Sequence, residues 1–298
     1  DLKLAESYLQ NYMEYSRELL AREPENSDYS MELSYAYSNL GSLARASGNS
    51  RAALDNFILS ADINAVELKK HPDDVDLIYS YAEGLSWIGS TKADLGDLSG
   101  SEQAFGQIST LLQPIYDKEE NARVTFTLAS NMAFQAEANL YLGDMKSAKA
   151  LNAESMRILD MLIAKDPQNA NWLQVLFKAK YTNLSMIPHS DWSRSNDADL
   201  DRLHDSFGKL SAQDPSNSRN KTYLAAVLRE KALRALHAGN FADAMEPAKS
   251  AHALMLDIVK KSDPSPQLLA SLAKTAELLG TVMTANQQAE AAELIWSG

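Results

Sequence analysis

The side chains able to carry chemistry are few and scattered. The histidines are His71, His189, His204, His237 and His252, and no two lie within four positions of each other. The His-Glu-x-x-His spacing that puts two metal ligands on one helix face is therefore missing. His189 and Asp191 are close enough in sequence to share a metal, but a surface loop is the stronger reading of that stretch. The adjacent carboxylates Asp73-Asp74 and Glu119-Glu120 fall at helix starts, where negative charge complements the positive end of the helix dipole. Capping is expected of them rather than acid–base catalysis. No cysteine is present, which excludes disulfides, thiolate metal sites and a cysteine nucleophile. There is no glycine-rich phosphate loop after a strand, no nucleophile elbow and no strand-like run. Catalysis needs a convergent set of groups. The sequence supplies none, so no enzyme activity, cofactor or metal is expected.

Composition narrows the partners. The chain has 298 residues and a net charge of −12, whereas nucleic-acid binders carry a basic face, so no nucleic-acid partner is expected. Hydrophobic residues make up 45%, with only 12 Gly and 9 Pro. Abundant Ala, Leu, Glu and Lys favour helix. No stretch approaches 18 apolar residues, so no segment is expected to insert in a membrane, and no charged-then-apolar leader opens the chain. The lack of cysteine fits the cytoplasm and an oxidising compartment equally. A start at Asp1 suggests a piece of a longer protein.

Three columns of residues set the architecture. Gly41, Gly89, Ala136, Leu184, Ala232 and Gly280 recur at steps of 47 or 48 residues. Pro24, Pro72, Pro167, Pro215 and Pro264 keep the same beat, with one proline skipped near Glu120. Seven residues after the first column stand Gly48, Gly96, Gly143 and Gly239, with Asp191 in place of glycine in the fourth. A fixed period of this length marks a repeat protein in which neighbouring units share one core. Each unit reads as helix A, a tight glycine turn, then helix B, closed by proline. Proline cannot continue a helix, and the Asn or Asp beside it can cap the next one. The repeats span about 24–71, 72–119, 120–166, 167–214 and 215–263, with 1–23 as an orphan helix B and 264–298 as a partial repeat. In the fourth, helix A ends at Pro188, residues 189–196 replace the turn, and a short helix B covers about 197–212. Trp192 in that loop either covers the gap left by the missing turn or forms an exposed anchor. Trp296 falls in the column of Phe57 and Phe105.

Tyr37, Leu40-Gly41, Ala53, Phe57 and Pro72, with Ile88-Gly89, Ser101 and Phe105 in the next unit, resemble the tetratricopeptide repeat (TPR). That unit is about 34 residues long, so this one carries roughly four extra helical turns. They lie before Tyr37 and between Phe57 and Pro72. Boundaries such as Asp166-Pro167-Gln168-Asn169-Ala170-Asn171-Trp172 resemble arrays attached to bacterial signalling proteins. The resemblance implies an all-α fold, an α-α superhelix (TPR-like solenoid) of about twelve antiparallel helices. It also implies a non-catalytic scaffold that binds a protein or peptide partner.

The family's groove positions, carried over, are Tyr35, Ser38, Ser42 and Arg45 in repeat one, then Glu83, Ser86, Ser90 and Asp94, then Ser130, Ala133, Glu137 and Tyr141. Lys178, Tyr181 and Ser185 follow in repeat four, Ala226, Arg229 and His237 in repeat five, and Lys274 and Glu277 in the last helix. The family's Lys and Asn clamp for chaperone tails is replaced by Ser38, Ser42, Ser86 and Ser90. Acidic groups precede basic ones, which predicts a bipolar groove with a peptide's acidic end toward Arg229; the competing reading is a set of solvated helix faces. Two further functions compete: self-assembly as a homodimer through exposed solenoid ends (Leu4 and Tyr8, Ile295 and Trp296), and small-molecule sensing near the irregular repeat.

Overall fold

The computed structural model describes residues 2–118, 120–261, 264 and 266–286. Ile295 and Trp296 lie outside the described residues, as does Glu119. The described residues form twelve α-helices and no strand. They are α1 (Leu2–Arg22), α2 (Ser27–Ala46), α3 (Ser50–Lys70), α4 (Val75–Asp94), α5 (Leu98–Tyr116), α6 (Ala122–Leu142), α7 (Met145–Lys165), α8 (Ala170–Ser185), α9 (Arg194–Gln213), α10 (Ser218–His237), α11 (Phe241–Lys261) and α12 (Pro266–Ala285). The chain forms two compact units, Asp1–Lys165 and Asp166–Gly298.

Local chemistry sets the helix ends. Asn26, Asp74, Asn121, Asn169 and Asn217 each accept a hydrogen bond from backbone N–H groups in the first turn of the following helix, as N-caps do. Asn121 does so although its boundary lacks the proline. Gly48, Gly96, Gly143 and Gly239 all have φ between 75° and 87°, a region that glycine enters without a Cβ penalty. The next residue's N–H reaches back to a carbonyl of the last helical turn: Asn49 to Ala44, Asp97 to Lys92, Asp144 to Asn139 and Asn240 to Ala235, at 2.8–2.9 Å. This is the Schellman closure, and it turns each helix A sharply into its helix B.

In the unit Asp1–Lys165, each helix packs on the next, from α1 through α7. The Phe57 ring of α3 lies on Gly41 of α2, so close that a Cβ there would come within 2.7 Å of it. Its other side stacks on Trp87 of α4, with centroids 5.5 Å apart. One repeat later Phe105 lies on Gly89, where a Cβ would approach to 2.9 Å, and stacks on Phe134 of α6 at 5.6 Å. A helix-B ring thus fills the space between its own helix A and the next repeat. A second seam is polar. Ser34 Oγ bonds Ser60 Oγ at 2.9 Å and donates to Asn64 Oδ1 at 2.7 Å, while Asn64 Nδ2 donates to Ser80 O, tying α2, α3 and α4 together.

Glu67, only 1% exposed, accepts from Ser27 Oγ at 2.7 Å and from Lys70 Nζ at 3.1 Å. Burial pushes its carboxyl up, but the bonds from Ser27, Lys70 and Ser30 outweigh burial and hold it below its ordinary value.

In the unit Asp166–Gly298 the column pair is Leu184 with Leu200, both in a cluster with Leu203, Phe207, Leu210 and Val227. Phe207 meets Phe177 edge-on at 5.8 Å and Tyr223 at 5.3 Å. Ala232 and Ala248 form the next pair, packed with Ala244, Leu278, Leu279 and Val282. The irregular stretch holds a short 3-10 turn at His189–Asp191. The helix after it is longer than the sequence suggested, running from Arg194 to Gln213. Asn196 Oδ1 accepts from Ser193 N and Oγ, both at 2.8 Å, so capping starts the helix directly after the loop.

One sequence expectation needs correction. Residues Leu268–Ala285 of α12 do reach the length and hydropathy of a membrane span, with a mean hydropathy of 1.2. Counting runs of apolar residues missed it because Lys274 and Glu277 interrupt the run. The apolar side chains Leu278, Leu279 and Val282 are buried against α10 and α11.

Two outcomes follow from this packing. Gly41→Ala should destabilise the first unit by about 1 kcal/mol or more in denaturant unfolding, because overpacking outweighs the ~1 kcal/mol helix-propensity gain. Adding Phe57→Leu should recover part of that loss, a non-additive cycle; a stabilised Gly41→Ala would contradict the contact. For Glu67 the folded carboxyl sits below its unfolded value, so its contribution is complete above the ordinary glutamate range and is lost as pH falls from that range through the lower folded value. Glu67→Gln should flatten this part of the acid-unfolding profile measured by circular dichroism.

Candidate functional site

The groove positions of the first unit lie on the helix-A faces of α2, α4 and α6. Tyr35, Ser42, Glu83 and Tyr141 are exposed, and Ser38, Ser86, Ser90, Ser130 and Glu137 are half-buried; Ala133 is buried. Tyr141 is the most open of them at 68%. Arg45 and Asp94 find each other across one repeat: Arg45 Nε and Nη2 donate to Asp94 Oδ2 at 3.0 and 2.8 Å. The Arg45 guanidinium lies 5.6 Å from the centre of the Trp87 ring. These two expected groove charges therefore neutralise each other. What the face offers is hydroxyl-bearing and aromatic surface beside Glu83.

The positions in the second unit divide differently. Lys178, placed by the resemblance on a groove face, is only 3% exposed, so it is not a surface cation. Tyr181 donates its hydroxyl to Ala226 O at 3.3 Å. Burial pushes that hydroxyl's pKa up, and the neighbouring Arg229 pulls it down by less. Ser185, His237, Lys274 and Glu277 are exposed, and Arg229 and Ala226 are half-buried.

Trp192 covers the irregular stretch. Arg234 stacks over its ring at 3.6 Å, its Nε1 donates to Asp197 Oδ1 at 2.6 Å, and it packs against the Leu184–Phe207 cluster. Arg234 is held in turn by Glu230 at 2.5 Å. The ring closes the gap left by the absent glycine turn. Among the described residues no group of three or more His, Asp or Glu could hold a metal ion. His252 is half-buried beside Thr275, and burial lowers its pKa. A hollow on another side of the first unit is lined by Glu102 and Gln135, which are joined by a hydrogen bond.

No protein-family model and no curated protein sequence matches the chain. Solved structures do match in fold. BtubC (BKLC) from P. vanneervenii is 14% identical with a TM-score of 0.53, covering 82% of this chain and 88% of that one. The apo form of RapI is 11% identical with a TM-score of 0.51, covering 99% of this chain and 74% of that one. Nro1, described as a nuclear import adaptor and a hypoxic regulator of sterol synthesis, is 11% identical with a TM-score of 0.50, covering 99% and 92%. At these identities the likeness is one of fold. The chain has a TPR-like helical-repeat fold, the architecture its sequence columns resemble.

Trp192→Ala should lower the stability of the second unit by about 2 kcal/mol or more in denaturant unfolding followed by circular dichroism. Unchanged stability would leave Trp192 free for the anchoring role.

Proposed function

We propose that this chain is a non-catalytic protein-binding scaffold, the docking or sensing region of a larger bacterial signalling protein. The observation that supports it is the helix-A face of the first unit. Tyr35, Glu83 and Tyr141 stand exposed there on helices that are themselves locked by the Phe57 and Phe105 stacks. Rigid helices that present aromatic side chains form a pre-organised surface, because few rotamers remain to be ordered on binding. The Arg45–Asp94 pair rigidifies the same face without adding net charge. The description of Nro1 as a nuclear import adaptor is consistent with this use of the fold. The attachment to signalling modules rests on resemblance alone, carried by the boundary motif Asp166–Trp172.

The second reading, self-association, has its own observation. Leu4, Tyr8, Tyr15 and Leu19 of α1 are 55%, 67%, 65% and 38% exposed and lie on one helical face. Shifted by one period they correspond to Ala52, Asn56, Ile63 and Glu67 of α3, on the side of that helix where Ser60 and Glu67 meet α2. An apolar helix face of this kind favours burial against another helix.

Two measurements separate the readings. The immobilised chain should capture at least one protein from a bacterial lysate that the triple variant Tyr35→Ala, Glu83→Lys, Tyr141→Ala does not; an identical set of captured proteins overturns the scaffold reading of this face. In sedimentation the chain should remain monomeric. A concentration-dependent dimer abolished by Tyr8→Glu would favour self-association instead.

A further inference from the structure

Helix α3 buries Ala53, Phe57, Ala61, Asn64 and Glu67 on one side. Its opposite side carries a stripe in the order Arg51, Asp55, Ile58, Leu59, Asp62, Val66 and Lys69, all exposed. Steps of three and four residues keep such side chains neighbours on one helix face. The apolar members are large and open: Ile58 is 37%, Leu59 45% and Val66 52% exposed. The repeat itself does not ask for the first two. The other helices B carry Gln10-Asn11, Gly106-Gln107, Ala153-Glu154, Asp201-Arg202 and Lys249-Ser250 at the same two positions. In α3 alone this outward place holds two large aliphatic side chains, and an apolar patch rimmed by charge marks a contact surface.

The charges on the stripe are not spent inside the chain. Arg51, Asp55, Asp62 and Lys69 make no ion pair among the described residues. The cations of the neighbouring helices A differ, since Arg45, Lys92 and Arg123 are each paired with an aspartate. The charge of Asp62 reaches the Tyr81 hydroxyl on α4, where it adds to burial in raising that group's pKa. Asp55 and Asp62 are two helical turns apart, roughly 10 Å along the axis, with Ile58 and Leu59 between them. Two acids thus bracket an apolar pair. Val66 lies one turn further, and the cations stand only at the ends.

We infer that the outer face of α3 docks an amphipathic helix of a partner protein, one with an apolar face and two basic residues two turns apart beside it. The apolar face covers Ile58, Leu59 and Val66, and the basic residues meet Asp55 and Asp62, which sets register and partner choice. A second copy of the chain is the poorer occupant. Two α3 stripes laid antiparallel over their apolar residues set Arg51 against Lys69 and leave both aspartates facing apolar side chains, where an uncompensated charge is costly. The assignment rests on the scaffold reading, because the helix belongs to another protein. It uses a helix-B surface, separate from that of Tyr35, Glu83 and Tyr141.

The test uses the complete chain and a synthetic probe, so its failure stays separate from failure of the lysate capture. The probe is a peptide of about 20 residues, long enough to hold a helix in water. It has leucines on one face, two lysines two turns apart beside them, and alanine and glutamine elsewhere. Binding is followed by the methyl resonances of the isoleucines, leucines and valines. Saturable shifts are expected at Ile58, Leu59 and Val66. Changing both lysines of the peptide to glutamate should weaken binding at least about fivefold, and Asp55→Asn with Asp62→Asn should cost a similar factor against the lysine peptide, a difference that fades at high salt. Leu59→Ser with Val66→Ser should abolish the shift at Ile58 while the melting temperature holds or rises. No saturable shift, or largest shifts at Leu4 and Leu19 of α1, overturns the site. Equal binding of the glutamate peptide overturns the basic partner. A lowered melting temperature in the serine variant shows that these side chains serve the chain's own packing, and the same methyl shifts on concentrating the chain alone replace the partner helix with a second copy.

Discussion

The structure depends on one contact: an aromatic ring from helix B laid on a residue without a side chain in helix A. At Gly41 and Gly89 even a methyl group would overlap the ring, at 2.7 and 2.9 Å. That closeness lets the far side of Phe57 reach Trp87 and of Phe105 reach Phe134. Within-repeat and between-repeat packing therefore share the same side chain. Interiors packed at this density tolerate little change in volume at such a point. The pair can change only jointly, as Ala136 with Asn152, Leu184 with Leu200, and Ala232 with Ala248 show; all are buried.

With the repeats fixed in this way, the surface chemistry is set by what each helix has left over. On the helix-A face of the first unit the strongest charges are spent on each other, Arg45 on Asp94, and tyrosines and serines dominate what remains. Around Glu102 the polar groups are also met from within, by Gln135 Nε2 at Glu102 and by Arg157 at Glu154. In the second unit the charged groups Arg234, Glu230 and Asp197 serve Trp192 and close an irregular stretch. The two units thus spend their charged groups differently, the first pairing them between helix-A faces and the second around an irregular loop.

The fold was legible because its signals are local and repeated. Glycine at positive φ, asparagine beside proline and the small column each act through their immediate neighbours, so their meaning survives in sequence. Asn121 caps its helix where the proline was missing for the same reason. The site was less legible, because surface chemistry is decided by pairs distant in sequence. Nothing in the spacing of Arg45 and Asp94 announces that they meet, and nothing in the sequence around Lys178 announces that it is buried. Trp192 was ambiguous since its partner, Arg234, lies two helices away.

The most direct measurement is amide hydrogen exchange on the chain alone and in complex with a protein it captures. The account predicts new protection in the first unit, along the helix-A faces around Tyr35, Glu83 and Tyr141. The second unit's Trp192 region should exchange at its original rate. Protection confined to the outer face of α1, or to the second unit, would contradict the account and move the function of the chain to another surface.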